Sequence, residues 1–173
     1  MDVKKQAIKT SVVACVIDNQ RRVLLTRRCI EPFCSLWVMP GGKIDHGEPI
    51  LAALHREVQE EIGIKIHIDG LIDVYEHVNL GNQNDHFVIL YYRVSPLTFD
   101  LAPNGTECTE AEWFGKAELE NLPMPPGCSY ILGKVFPDLN LPSAQPLKFE
   151  VEQEVPGEAL IPVLPADKTT ETS

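Results

Sequence analysis

The stretch from Gly42 to Ile64, GKIDHGEPILAALHREVQEEIGI, constrains this chain more than any other. Leu51, Leu54, Val58 and Ile62 recur at spacings of three and four, which predicts a helix with one apolar face against a sheet. Pro49 suits a first helical turn, and Gly63 suits the left-handed stop that ends a helix. Glu57, Glu60 and Glu61 stand at i, i+3 and i+4, on one side of that helix, with Glu57 and Glu61 bordering the apolar stripe. Like charges so placed repel, weakening an isolated helix by roughly a few tenths of a kcal/mol per pair. A half-buried position makes this worse, because the local dielectric is lower. A bound divalent cation removes the conflict. Magnesium is the natural candidate, a hard ion that takes carboxylate oxygens, keeps several waters and shares its other positions with substrate phosphates.

Three glutamates alone fit a solvated acidic face, but the whole stretch says more. Gly42, five residues, Glu48, seven residues, then Arg56-Glu57, Val58, Gln59, Glu60-Glu61, Ile62, Gly63 and Ile64 match the Nudix box at every specified position. At usage of roughly 5–7% for each specified polar or glycine position, a chance match is on the order of one in ten million. The chain therefore resembles a Nudix hydrolase. The resemblance implies an α/β fold, the Nudix-type α/β/α sandwich with a mixed β-sheet. It also implies that Glu57, Glu60 and Glu61 bind Mg²⁺ (or Mn²⁺), with the carbonyl of Gly42 joining the metal shell. Arg56, at i, i+4 to Glu60, belongs to the same catalytic set, because it can orient that carboxylate and offset the cluster. Glu48 reads as a brace for the loop or a contact outside the metal's own ligands rather than a direct ligand.

A weaker resemblance to MutT-like nucleotide hydrolases runs through roughly residues 8 to 136. It is carried by Leu25-Thr26-Arg27-Arg28, Pro40-Gly41-Gly42-Lys43-Ile44, the His86–Tyr92 strand, Glu112-Trp113 and Met124-Pro125-Pro126. It implies that Glu107, six residues before Trp113, is a fourth metal carboxylate, with Glu110 as the competitor. Cys128 stands where a base-reading amide is expected, and a thiol is a poor hydrogen-bonding substitute. The proline that marks many ADP-ribose hydrolases is absent at Asn79 and Leu80, and so is the tyrosine expected in dinucleoside-polyphosphate hydrolases.

In chain order, Ile8–Ile17 reads as a buried strand, and Val23–Thr26 returns as a second after the Asp18-Asn19-Gln20 turn. Arg27 and Arg28 follow either as a solvated strand end or as phosphate or base contacts, since a planar guanidinium suits both. Phe33, in the Cys29–Leu36 loop, is within reach of a substrate. Trp37 reads as core in an extended segment leading to Gly41-Gly42, where paired glycines permit close backbone approach. Ile64–Ile68 alternates like a half-buried strand, Leu71–Val78 and His86–Val94 form a hairpin across the polar Gly81–Asp85 loop, and Ala111–Phe114 is another strand. Lys116–Leu122 gives a helical turn or two, and Cys128–Phe136 a second short helix.

These elements make one domain, 1–136, followed by an extension, 137–173, which holds six of the fourteen prolines and seven acids against two lysines. Within it LKFEVEQEV alternates like a strand able to pair with a sheet edge or a partner chain, which leaves a homodimer open, and ADKTTETS reads as a disordered end. The chain has no apolar run of membrane-span length and no signal-peptide core, and five cysteines lack zinc or disulfide spacing, so a reduced cytoplasm is the expected compartment. The net charge of −10 speaks against nucleic acid and anionic membrane as partners and leaves a small-molecule nucleotide, drawn in by local cations. The function expected is metal-dependent hydrolysis of a pyrophosphate bond in a nucleoside triphosphate or a nucleotide-sugar such as ADP-ribose. The alternative is a non-catalytic nucleotide sensor, against which the intact Arg56, Glu57, Glu60 and Glu61 set weighs.

Overall fold

The computed structural model describes residues 7–79 and 85–141. Seven strands and three helices follow in the order β1 (Lys9–Val16), β2 (Val23–Arg28), β3 (Trp37–Val38), β4 (Gly41–Lys43), α1 (Ile50–Ile62), β5 (Ile66–Asn79), β6 (Asp85–Pro96), β7 (Cys108–Phe114), α2 (Lys116–Leu119) and α3 (Pro126–Val135). They build two sheets rather than one: a mixed sheet in the order β4-β1-β6-β5 and an antiparallel sheet in the order β3-β2-β7. Among the described residues only β1 and β6 run parallel, pairing Lys9–Val16 with Phe87–Val94.

Strand alternation makes this a three-layer molecule. On β1, Val12, Ala14 and Val16 point into a core shared with Leu54, Val58 and Ile62 of α1. Cys15 and Ile17, one step out of phase, point into the opposite core, shared with Ile131, Leu132 and Phe136 at α3. β2 divides in the same way, Leu24 to the first core and Val23 and Leu25 to the second. Helices thus cover both faces, as an α/β/α sandwich requires.

Several boundaries differ from the sequence expectation. β1 and β2, joined by the turn at Asp18-Asn19-Gln20, belong to different sheets and are bridged at Ile17–Val23. The strands expected at 64–68 and 71–78 are one long strand, β5, whose pairing with β6 shifts register between Ile68 and Gly70 and again between Leu71 and Asp73. Each shift is a bulge, and it breaks the alternation from which a strand is read. On α1 the buried residues are Ala53, Leu54, Glu57, Val58, Glu61 and Ile62. Leu51 has the phase of that face but stands in the first turn and is 46% exposed. Gly63 does stop the helix at φ 76°, its amide bonded to the carbonyl of Gln59. Packing continues past residue 136, since Leu139 and Leu141 lie against the α3-side core. Residues 81–84 of the expected Gly81–Asp85 loop and the segments LKFEVEQEV and ADKTTETS lie outside the described residues, among which no helix is long and apolar enough to cross a membrane.

Candidate functional site

Two of the three glutamates of α1, Glu57 and Glu61, are not on its solvent side. Glu57 is 8% exposed and Glu61 4%, both on the face that packs against the sheet, whereas the Glu60 side chain is 60% exposed. Desolvation raises the Glu57 carboxyl above its usual range, opposed by Arg56 and reinforced by the charge of Glu107. Glu61 is pushed up to about 8, by burial first and then by Glu107 and Glu57. The amide of Gly41 donates to Glu61 Oε2 at 3.1 Å, so the β4 backbone sits directly against this pair.

Gly42 is where that approach is closest. A Cβ there would meet the Glu57 carboxylate at 2.5 Å. At Gly41, φ is 152° and a Cβ would meet the carbonyl oxygen of Val12 at 2.3 Å. The two glycines therefore serve different ends: Gly41 lets β4 pair with β1, and Gly42 leaves room for a carboxylate.

Arg56 is the hub. Its Nε and Nη2 donate to the two oxygens of Glu48 at 2.8 and 2.9 Å, Nη1 to Glu57 at 2.8 Å and Glu60 at 3.2 Å, and Nη2 also to the carbonyl of Lys43 at 3.1 Å. The pairing with Arg56 lowers the Glu48 carboxyl to about 2. Glu48 also accepts the amide of Asp45, so it braces the 43–48 loop as expected. One guanidinium thus fixes the loop, Glu57 and Glu60 together.

Glu107 arrives from a separate loop. Asn104 Oδ1 accepts the amides of Thr106, Glu107 and Cys108, and the amide of Asn104 donates to the carbonyl of Glu61 at 2.9 Å. That loop is consequently tied to the helix end beside the buried acids. Glu110 faces elsewhere, within 3.4 Å of Arg27. Nothing in the sequence marked Asn104, because its role is a turn that forms only once the helix end is beside it.

These acids border a cavity of about 780 Å³, lined by Arg28, Phe33, Gly42, Arg56, Glu57, Glu60, Glu107 and Cys128 among others. Arg27 is not in it; its guanidinium lies 5.9 Å from the centroid of the Trp37 ring, and Trp37 is core, edge-on to Phe114. Neighbours on a strand point to opposite faces, so only one of the two arginines can reach the cavity. Cys128 forms wall rather than a polar handle: it is 4% exposed, and burial pushes its thiol up to about 11. Lys9, Ser11, Tyr75, His77, Phe87 and Tyr91 also line the cavity, brought together by the pairing of β1, β6 and β5. Sequence reasoning missed them because that pairing is long-range.

Among the described residues no group of three or more acidic, histidine or cysteine side chains stands close enough together to hold a metal ion by itself. What the site offers is an open, all-oxygen donor set: the carboxylates of Glu57, Glu61 and Glu107, the charge of Glu107 raising the proton affinity of the other two, and a glycine backbone pressed against Glu57. Even with Arg56 paired to Glu57, such a set carries more carboxylates than cations and fits a hard divalent ion.

A family model described as NUDIX domain matches residues 8–132. A Nudix hydrolase of Bacillus subtilis (strain 168), YvcI, is 31% identical over 124 residues, covering 70% of this chain and 75% of that one. An ADP-ribose pyrophosphatase of Methanocaldococcus jannaschii is 29% identical over 108 residues, covering 62% of this chain and 61% of its own. A MutT NUDIX hydrolase from Burkholderia pseudomallei has a similar structure, with a TM-score of 0.69 at 26% identity over 75% of this chain and 99% of that one.

Proposed function

The chain belongs to the Nudix hydrolase family, and from that premise we propose that it cleaves a pyrophosphate bond in a nucleoside diphosphate linked to another group, with Mg²⁺ as its metal. The observation that carries the reading is the pair of buried acids Glu57 and Glu61, of which Glu57 lines, beside Glu60 and Glu107, a cavity large enough for a nucleotide. Glu57, Glu60, Glu61, Glu107 and the carbonyl of Gly42 would hold the ion. Bound there, it would polarise a phosphoryl oxygen and acidify a water.

The chain's own residues supply the rest. Arg56 holds Glu57 and Glu60 in orientation and keeps Glu48 charged beside them. Lys9, Arg28 and Lys43 bring positive charge to the cavity of a chain whose overall field repels phosphate. Phe33, His77, Phe87 and Tyr75 give it an aromatic lining suited to a nucleobase. A nucleoside triphosphate and a nucleotide-sugar both fit this description, and the likeness to an ADP-ribose pyrophosphatase favours ADP-ribose.

A hydrolysis screen over nucleoside triphosphates, ADP-ribose, other nucleotide-sugars and dinucleoside polyphosphates tests the reading. The expected result is product release with Mg²⁺ or Mn²⁺ that stops on adding chelator. Full turnover in metal-free buffer, or none with any of these compounds, would overturn it.

A further inference from the structure

The turn between β1 and β2 carries an arginine where the backbone favours glycine. The amide of Arg21 donates to the carbonyl of Asp18 at 3.0 Å, and the amide of Asp18 donates to the carbonyl of Arg22 at 3.1 Å, so residues 19–21 close as a tight loop. Loops of this length end on a left-handed residue, ordinarily glycine. Here that residue is Arg21, at φ 61°. Asp18 imposes the shape. It is 5% exposed, and its carboxylate accepts the amides of Gln20 and Arg22 at 2.9 and 2.8 Å and the Arg22 guanidinium at 2.8 Å. A bulky residue held in a disfavoured backbone by a buried acid raises the question of what its side chain does.

The Arg21 guanidinium lies 5.3 Å from the centroid of the Phe136 ring and borders a second cavity, of about 420 Å³. Arg93 borders it too, placed by β6, where it stands in register with Cys15 of β1. Asp18 is the acid of this lining, and its oxygens are taken by Arg22 and the two amides. Ser95 gives its hydroxyl to Asp69 at 2.8 Å. Among the described residues neither Arg21 nor Arg93 pairs with an acid. Two cations thus share one hollow in a chain whose net charge is −10. The cavity stands at the opposite end of the β1–β6 pair from the acids: Lys9 and Phe87 line the first cavity, Ile17 and Ser95 this one, about 25 Å along the strand at its ordinary rise.

We propose that this cavity is a second anion site, separate from the acid-lined one, which binds a phosphate group between Arg21 and Arg93. Two planar forks present more donors than the pair of oxygens on a carboxylate can take up, and a phosphate offers a further oxygen as well as a second charge. Asn19 adds a neutral amide to the same wall. Phe99, 54% exposed with its ring 6.0 Å from that of Trp113, gives the edge of the cavity an aromatic face. A free phosphate and a nucleoside phosphate both carry the group that the arginines recognise.

Assigned amide spectra of the full chain, recorded with chelator so that the carboxylates hold no metal, locate the site. Inorganic phosphate and AMP are titrated in, against sodium chloride at matched ionic strength. Saturable shifts are expected at residues 19–22 and 93–95, and Arg21→Gly and Arg93→Gln should each weaken binding by about tenfold. Arg21→Gly should melt no lower than the wild type, because glycine takes φ 61° without strain, so lost binding is told apart from a lost fold. Equal affinity for the two probes assigns the site to the phosphate alone. Tighter binding of AMP that falls in Phe99→Ala assigns it to a nucleoside phosphate. Shifts that sodium chloride reproduces, or that persist in both arginine variants, would overturn the proposal. So would a lower melting temperature of Arg21→Gly with phosphate binding intact, which would make that arginine a packing residue.

Discussion

At Gly42 and its neighbour Gly41 one methyl group distinguishes chemistry from folding. Gly42→Ala would press a Cβ onto the Glu57 carboxylate, the movable end of a side chain, so the carboxylate shifts and the fold survives. Hydrolysis should fall about tenfold or more with little change in melting temperature. Gly41→Ala would instead press on the backbone of β1 from a disfavoured φ, costing about 2 kcal/mol or more in stability. Thermal unfolding and turnover of both variants check the contrast, and equal melting temperatures would contradict it. The glutamates divide in the same way. Glu61→Gln keeps the shape of a carboxyl that burial already holds above its usual range, so the metal-free protein should melt no lower than wild type, whereas Glu57→Gln and Glu60→Gln each weaken a bond to Arg56 and should cost no more than about 1 kcal/mol. Turnover at saturating Mg²⁺ should fall about a hundredfold or more, and by only about tenfold for Glu48→Gln, which braces rather than binds. Variants that unfold easily yet stay active when folded would make these acids structural. The box residues were legible because each has a chemical type fixed by its task. The direction each one points was not: the sequence put Glu57 and Glu61 at the border of the apolar stripe, and they are inside it.

Elements carry the next level of information, and here legibility followed periodicity. The helix α1 could be read to within a residue or two because Pro49 and Gly63 bracket a 3.6-residue pattern. β5 could not, because Gly70 and the two register shifts split its alternation into two apparent strands. Nor could the cavity floor, which depends on β1 lying parallel to a strand that begins far along the chain. The join between β5 and α3 makes a testable case. Asp73 accepts from the Tyr130 hydroxyl at 2.9 Å and pairs with Lys134, and these partners, Lys134 first, hold its carboxyl below the usual range. Because the folded state lowers this acid's pKa, its contribution is present above the ordinary carboxylate range and fades as pH falls through the folded value. Asp73→Ala should therefore cost about 1 kcal/mol at pH 7, with the difference from wild type narrowing in acid. Urea unfolding of both proteins from neutral pH downward measures this, and a gap that widens in acid would contradict the sign.

Over the whole molecule the question is where the folded unit ends. Composition changes at Pro137, which suggested a boundary at residue 136. Composition reports solubility and charge, however, and two leucines in a proline-rich stretch barely alter either. In the structure Leu139 and Leu141 lie against the α3-side core, the amide of Asn140 donates to Glu120 at 2.9 Å, and Lys116 pairs with Asp138. Partial burial of two leucines is worth about 2 kcal/mol together, a large part of the margin of a domain this size. A chain ending at Phe136 should thus melt several degrees below the full chain. Its Nudix box is untouched, so hydrolysis per folded molecule should be retained at low temperature. A chain ending at Pro165 loses only the polar ADKTTETS stretch and should match the full chain in both respects. Thermal unfolding of the three lengths, with turnover measured well below each transition, decides the matter. If the chain ending at Phe136 melts with the full one, the 137–141 contacts contribute nothing and the boundary drawn from composition stands. If the chain ending at Pro165 loses stability as well, the last eight residues take part in the fold despite their composition.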